Sequence, residues 1–246
     1  YDKTRGQLLK AMSDRIPVDL ITVDQIWLGE FAENGLLTDL TNYTQKWGRD
    51  PDWYEIHWDG GAYNDKIYGI SAWTDVRGMW YWKDLIQQAG VDLNSLRTWD
   101  GYIASAKKLN EVLRPQGIEG VHLVAADHSP DMSFYPYLWM LGGAIVESKP
   151  GHPTKGNYWF PGYNGTEGVR ALEFIKDQID AGITPQKEHF WGKEFLDRKF
   201  AVMLEALQHH IPPPHTPENK KDFEQKVGFM PLFPIPDENH TSAALM

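Results

Sequence analysis

Two pairs of residues have the types and spacing to recognise a polyhydroxylated ligand. Asp24 lies three residues before Trp27, and Trp73 lies two residues before Asp75. A carboxylate accepts two hydrogen bonds from vicinal hydroxyls. An indole offers a flat apolar face on which a sugar ring can stack. Both pairs sit at loop junctions with predicted elements, where α/β folds hold ligands. Bland readings stand beside this one: Asp24 also suits the N-cap of the helix that follows it, and Trp73 also suits a core. The same carboxylates could act as the acid and nucleophile of a glycosidase, which requires two carboxyls at a defined separation.

The nine histidines raise the question of a metal. His209, His210 and His215 lie beside the proline run at 212–214. Adjacent residues on a strand point to opposite faces, so His209 and His210 are poorly placed to share one ion. They are read as loop histidines, and neither a metal nor a cofactor is expected. There is no Gly-x-Ser-x-Gly elbow, no phosphate loop and no His-Glu-x-x-His. Gly60-Gly61 and Gly142-Gly143 lack the context of a dinucleotide-binding loop. Sequons at Asn42, Asn164 and Asn239 would be acceptors only on an exported chain in a glycosylating organism.

The elements that must position these residues alternate between short strands and helices. Val18–Thr22 is an apolar run suited to a buried strand, and Asp24 could cap a helix from Gln25 to Asn34 that Gly35 ends. Ile67–Ile70 and Val76–Trp82 read as strands, followed by a short helix from Lys83 to Ala89 closed by Gly90. Thr98 is a good N-cap for a helix whose stripe is Trp99, Ile103, Ala106, Leu109 and Leu113. Val121–Val124 is a predicted strand, and Met132–Leu141 a predicted helix. A further helix starts at Thr166 and ends at Gly182, with Val169, Leu172, Ile175 and Ile179 expected on its buried face. Phe200–Leu204 and Val227–Met230 read as strands, and Ile211–Pro217 as a proline-rich loop. This alternation indicates an α/β fold with largely parallel sheets.

Composition narrows the function. At 246 residues with 41% hydrophobic and 24% charged side chains, the chain can bury a large core in one domain or two. A formal net charge of −10 disfavours binding to nucleic acid or to an anionic membrane surface. No apolar run approaches the length of a membrane span. Zero cysteines exclude disulfides and thiolate zinc sites. Aromatic residues reach 13%, with 11 tryptophans, enough to fill a core and still furnish a site. The first residues, Tyr1 to Met12, read as the tail of a helix already under way, and Thr241 to Met246 turns apolar where it stops. The expectation is therefore a piece of a longer polypeptide.

Four stretches, taken in order, carry a family resemblance. They are Pro17-Val-Asp-Leu-Ile-Thr-Val-Asp-Gln-Ile-Trp27 with Phe31-Ala-Glu-Asn-Gly35-Leu-Leu-Thr-Asp-Leu40; Tyr63-Asn-Asp-Lys-Ile-Tyr-Gly-Ile70; Tyr81-Trp-Lys-Asp-Leu85 with Ala89-Gly90 and Thr98-Trp-Asp100; and Tyr137-Leu-Trp-Met-Leu-Gly-Gly143 with the later segment 195–203. In order and spacing they resemble the extracellular solute-binding proteins of ABC importers, family 1, the group that includes maltose- and trehalose-binding proteins. The likeness covers nearly the whole chain.

The resemblance implies a periplasmic-binding-protein-like (type II) two-lobed fold with a hinge and a ligand cleft between the lobes. Residues 1–74 would be part of the N-terminal lobe, its first strand and helix lying before Tyr1. Residues 74–77 would be the first hinge crossing, 78–243 the C-terminal lobe without its final helices, and 244–246 the start of the second crossing. The ligand-binding roles carry over to Asp24, Trp27, Trp73 and Asp75, with Gln25 as a lesser candidate and Asp131 and Ser133 from the second lobe. Ser71 stands where many members have proline. Ala206-Leu207-Gln208-His209 stands where many carry a stacking tryptophan, which shifts that contact to His209 or His210. The implied function is capture of a small polar solute, an oligosaccharide above all, by hinge closure, without catalysis. The partners would be the ligand and the transmembrane subunits of an ABC permease, and the protein would be a monomer. The expected place is extracellular or periplasmic, with a membrane anchor in a segment outside this chain. The alternatives are a glycan-processing hydrolase and a cell-surface interaction protein on the same scaffold.

Overall fold

The computed structural model describes residues 2–14, 16–48, 52–72, 77–124, 133–152, 156–183, 185–186, 193–205, 217–231 and 234–241. The chain divides into two compact units, Tyr1–Thr74 and Asp75–Met246.

The first unit is built from helices α1 (Asp2–Ser13), α2 (Gln25–Glu33), α3 (Thr41–Trp47) and α4 (Glu55–Gly60) and a small hairpin of β1 (Ala62–Tyr63) and β2 (Lys66–Ile67). Asp24 caps α2, which buries Trp27, Leu28, Phe31 and Ala32 along one face. An Arg5–Glu30 ion pair ties α1 to α2. The hairpin turns through Asn64 and Asp65, both at positive φ (49° and 60°), the conformation that a two-residue turn between antiparallel strands demands. Two expectations change here. The strand predicted over Ile67–Ile70 contributes only Ile67 to β2. Val18–Thr22 is not a strand, and Leu20 is 91% exposed. A strand exists only as one rail of a hydrogen-bonded ladder, and no described segment pairs with these residues.

The second unit opens with β3 (Gly78–Trp82), α5 (Lys83–Ala89) and α6 (Trp99–Leu113). There follow β4 (Glu119–Val121), β5 (Leu123–Val124), α7 (Tyr135–Met140), and the hairpin of β6 (Val146–His152) and β7 (Gly156–Pro161). The rest is α8 (Thr166–Asp180), β8 (Pro185–Gln186), α9 (Lys193–Leu196), β9 (Phe200–Glu205), α10 (Pro217–Lys226) and β10 (Val227–Met230). The central sheet has the order β10-β3-β9-β4. β3 runs antiparallel to both β10 and β9, while β4 is parallel to β9. The sheet is thus mixed, where largely parallel sheets were expected. Long connections through helices can return a strand in either direction, so alternation of elements does not by itself set polarity.

Local signals are read correctly at several helix ends. Gly90 closes α5 in the left-handed conformation at φ 61°. Thr98 caps α6, accepting from Gly101 N at 3.4 Å. The stripe Trp99, Ala106, Leu109 and Leu113 is buried, with Ile103 packed at its margin. The helix predicted over Met132–Leu141 begins at Tyr135. The proline-rich segment 211–216 lies outside the described residues, and Pro217 opens α10, which was not expected.

The core of this unit is aromatic. Trp99 stacks on Phe174 with centroids 4.1 Å apart and planes within 9°. Tyr137 meets Phe174 edge-on at 4.9 Å. The buried indoles keep partners: Trp99 Nε1 donates to Pro234 O and Trp82 Nε1 to Phe195 O, both at 2.9 Å. These contacts correct the face expected for α8. Gly168, Ala171, Phe174, Ile175 and Gln178 are its buried residues, whereas Val169 and Leu172 are each 54% exposed and Ile179 is exposed as well. The helix turns Phe174 and its small neighbours inward because Trp99 and Tyr137 wall a space that the Phe174 ring fills. Close approach also sets Gly228 on β10: a Cβ there would lie 2.1 Å from Tyr81 Cζ across the ladder.

Candidate functional site

Of the residues expected to contact ligand, Asp24, Gln25 and Trp27 come together at the start of α2 in the first unit. Asp24 has extended backbone (φ −70°, ψ 140°), and its Oδ1 accepts from Ile26 N at 3.1 Å. One carboxylate oxygen therefore serves the helix, satisfying an amide that the first turn leaves without an intrahelical partner. The other oxygen, on a half-buried side chain, can accept from a ligand hydroxyl. Gln25 is exposed and its amide lies against Gly60, the last residue of α4, since a Cβ there would come within 3.0 Å of Gln25 Nε2.

Trp27 takes a different position from the stacking platform expected of it. It is 7% exposed and its ring stacks on Phe31, one helical turn on, at 6.4 Å and 29°. In the first unit it is a core residue that fixes the entry of α2, and so holds Asp24 and Gln25 in place.

Ser133 lies in the second unit, just ahead of α7, and is 2% exposed. Trp73, Asp75, Asp131, His209 and His210 lie outside the described residues. Among the described residues, no group of His, Cys, Asp and Glu could hold a metal ion. No helix among them is long and apolar enough to cross a membrane.

The structure also contains a feature that the sequence reading missed. A cavity of about 350 Å³ opens between α3 and α4, lined by Thr41, Thr44, Gln45, Trp53, Glu55, Trp58 and Ile67. Trp53 is the centre of a tryptophan cluster, 5.2 Å from Trp47 and 5.9 Å from Trp58, with both pairs tilted by 52°. Trp53 Nε1 donates to Ser71 O at 3.0 Å, which fixes the ring. Both threonines are engaged: Thr44 Oγ1 donates to Thr41 O, and Thr41 Oγ1 accepts from Ile67 N, each at 3.0 Å. The Asp39 carboxyl is held below its ordinary range, first by the Thr41 hydroxyl and then by the Thr41 amide, with Lys66 Nζ 3.2 Å away. The sequence signal was the density of aromatics between Trp47 and Trp58.

With these elements in place, the comparison with known proteins decides the family. The profile of the bacterial extracellular solute-binding proteins matches residues 2–243. The chain belongs to that family. This solute-binding protein is 25% identical over 213 residues to a binding protein of Brucella abortus (strain 2308), a match covering 84% of this chain and 48% of that protein. It is similar in fold to the GacH receptor of Streptomyces glaucescens GLA.O, solved without ligand and with acarbose, at a TM-score of 0.76 and 20% identity over 99% of this chain and 58% of that one. It is also similar to the maltose-bound MalE3 of T. maritima, at a TM-score of 0.72 and 25% identity over 98% of this chain and 58% of that one. The solute-binding protein thus spans about half the length of the curated relatives it matches. Its fold is that of the two-lobed periplasmic binding proteins, and it is mixed α/β. The family is one of binding proteins, and it is extracellular.

Proposed function

We propose that this protein captures an oligosaccharide as the receptor subunit of an ABC importer. The observation that carries the reading is the match of the solute-binding family over residues 2–243. Fold neighbours bound to acarbose and to maltose point the ligand class toward sugars. Residues 1–74 and 78–243 belong to the two lobes, joined by a first hinge crossing at 74–77. Asp24 and Gln25 supply hydrogen bonds from the first lobe, with Trp27 behind them as their anchor. Trp73 and Asp75 at the hinge, with Asp131, Ser133, His209 and His210 from the second lobe, complete the contacts. A ligand touching both lobes binds the closed form better than the open one, and so draws the hinge equilibrium toward closure. Recognition by the transmembrane permease subunits then depends on that closed form. No bond in the sugar is broken.

The test is calorimetric titration of the protein with maltose, acarbose and arabino-oligosaccharides, with the supernatant assayed for cleaved sugar. Saturable binding of intact sugar is the expected result. Release of shortened glycans would move the protein to the hydrolases. Absence of binding to every sugar would overturn the ligand class.

A further inference from the structure

We propose that the cavity between α3 and α4 is a second sugar site, built from none of the residues assigned above, which takes a single ring: a monosaccharide or the end residue of a glycan. The argument needs only the first unit. Its volume, about 350 Å³, falls at the small end of ligand pockets, which run from about 300 to 1,000 Å³. One side is aromatic. Trp53 is pinned through its Nε1 to Ser71 O, so its donor is spent and it brings the cavity apolar ring surface. Trp58 adds a second indole, tilted by 52° from it.

The remaining lining is polar and divides into engaged and disengaged groups. Thr41 and Thr44 are held by bonds within the fold. Gln45 and Glu55 are exposed at the mouth and make no hydrogen bond or ion pair among the described residues. A carboxylate and an amide with unspent hydrogen-bonding capacity, lining the same cavity as two indoles, complement a ligand with one apolar face and a rim of hydroxyls. That is the chemistry of a pyranose or furanose ring. An organic cation is a poorer fit, because an aromatic cage encloses its guest on several sides. Among the described residues, Trp53 and Trp58 are the tryptophans that line the space.

The experiment labels the full chain with 5-fluorotryptophan and follows the fluorine resonances during titration with D-glucose, D-galactose and L-arabinose. Trp53→Phe and Trp58→Phe assign the two resonances; should either fail to fold, the shifts caused by Gln45→Ala and Glu55→Ala at the exposed mouth identify them instead. The proposal expects one of these sugars to move both resonances saturably, and Glu55→Ala to weaken that binding at least about tenfold. Three results would overturn it. The first is a sugar that shifts other tryptophans and leaves Trp53 and Trp58 unmoved, which would leave the importer reading intact. The second is a response of these two resonances to choline chloride alone. The third is equal affinity in the parent and Glu55→Ala. A failure of the importer reading shows elsewhere, as absence of oligosaccharide binding in calorimetry with the Trp53 and Trp58 response preserved.

Discussion

Replacing Asp24 in two ways separates a structural role from a ligand-binding one. Asp24→Ala deletes the 3.1 Å bond that Oδ1 accepts from Ile26 N at the start of α2. Loss of such a cap costs about 1 kcal/mol, within a range of about 0.5–2. In a chain of this size, that corresponds to a fall of about 2–4 °C in Tm. Asp24→Asn keeps an oxygen in the same place and caps nearly as well. It loses only the attraction between a negative charge and the helix N-terminus, about 0.3–1 kcal/mol. The two variants should therefore differ clearly in thermal unfolding, with Asn above Ala. Affinity ranks them differently. A hydrogen bond from a sugar hydroxyl to a charged carboxylate is worth about 1.5–3 kcal/mol. Loss of that charge raises Kd about 10- to 150-fold. Both variants should show it, because neither retains the carboxylate. The assay pairs differential scanning calorimetry with isothermal titration using whichever oligosaccharide the parent binds. Parent affinity in Asp24→Asn would refute the ligand role and leave Asp24 as a cap alone. Equal Tm values for the two variants would refute the cap.

Other consequences follow from the second unit and from the charged turn at Asp39. Trp99→Ala removes the ring stacked at 4.1 Å on Phe174 together with the bond to Pro234 O, and should cost about 3–5 kcal/mol in urea unfolding. Tyr102 is fully buried and its hydroxyl has no hydrogen-bond partner among the described residues, so Tyr102→Phe should leave the urea midpoint unchanged or raise it. The corrected face of α8 predicts an asymmetry: Leu172→Lys should change stability by less than about 0.5 kcal/mol, whereas Ala171→Leu should cost about 1–3 kcal/mol by overpacking. The Asp39 carboxyl, lowered first by the Thr41 hydroxyl, stabilises the fold above the ordinary carboxylate pKa, and that contribution fades as pH falls through its lower folded value. Thermal scans between about pH 5 and pH 2 should thus fall less steeply for Asp39→Asn than for the parent.

The helix ends, including the one at Asp24, were legible because their signals are local. Asp24 reads as a cap from its position before an apolar run, and the structure places its oxygen on Ile26 N. Gly90 and Thr98 mark helix ends for the same reason: each acts on backbone groups within a few residues. Trp27 was harder. Its spacing from Asp24 suits a sugar platform, but its spacing from Phe31 suits a helix-face pair, and the second contact is the one observed. The tryptophan-walled cavity was not legible as a site, because Thr41 and Gln45 come from α3 while Glu55 and Trp58 come from α4. Its walls meet only when those helices pack.

What the sequence determined by itself were the helix boundaries set by caps and glycines, the α/β composition, and the ordered motifs of a solute-binding protein. These depend on residues near one another along the chain. Tertiary structure alone decided which way β3 runs in its sheet, which face of α8 is buried, and where Trp27 points. On α8, Val169, Leu172 and Ile179 outrank Gly168, Ala171 and Gln178 in hydrophobicity, yet they face solvent. Burial follows the shape available beneath a helix, and Trp99 and Tyr137 left a space that Phe174 fills.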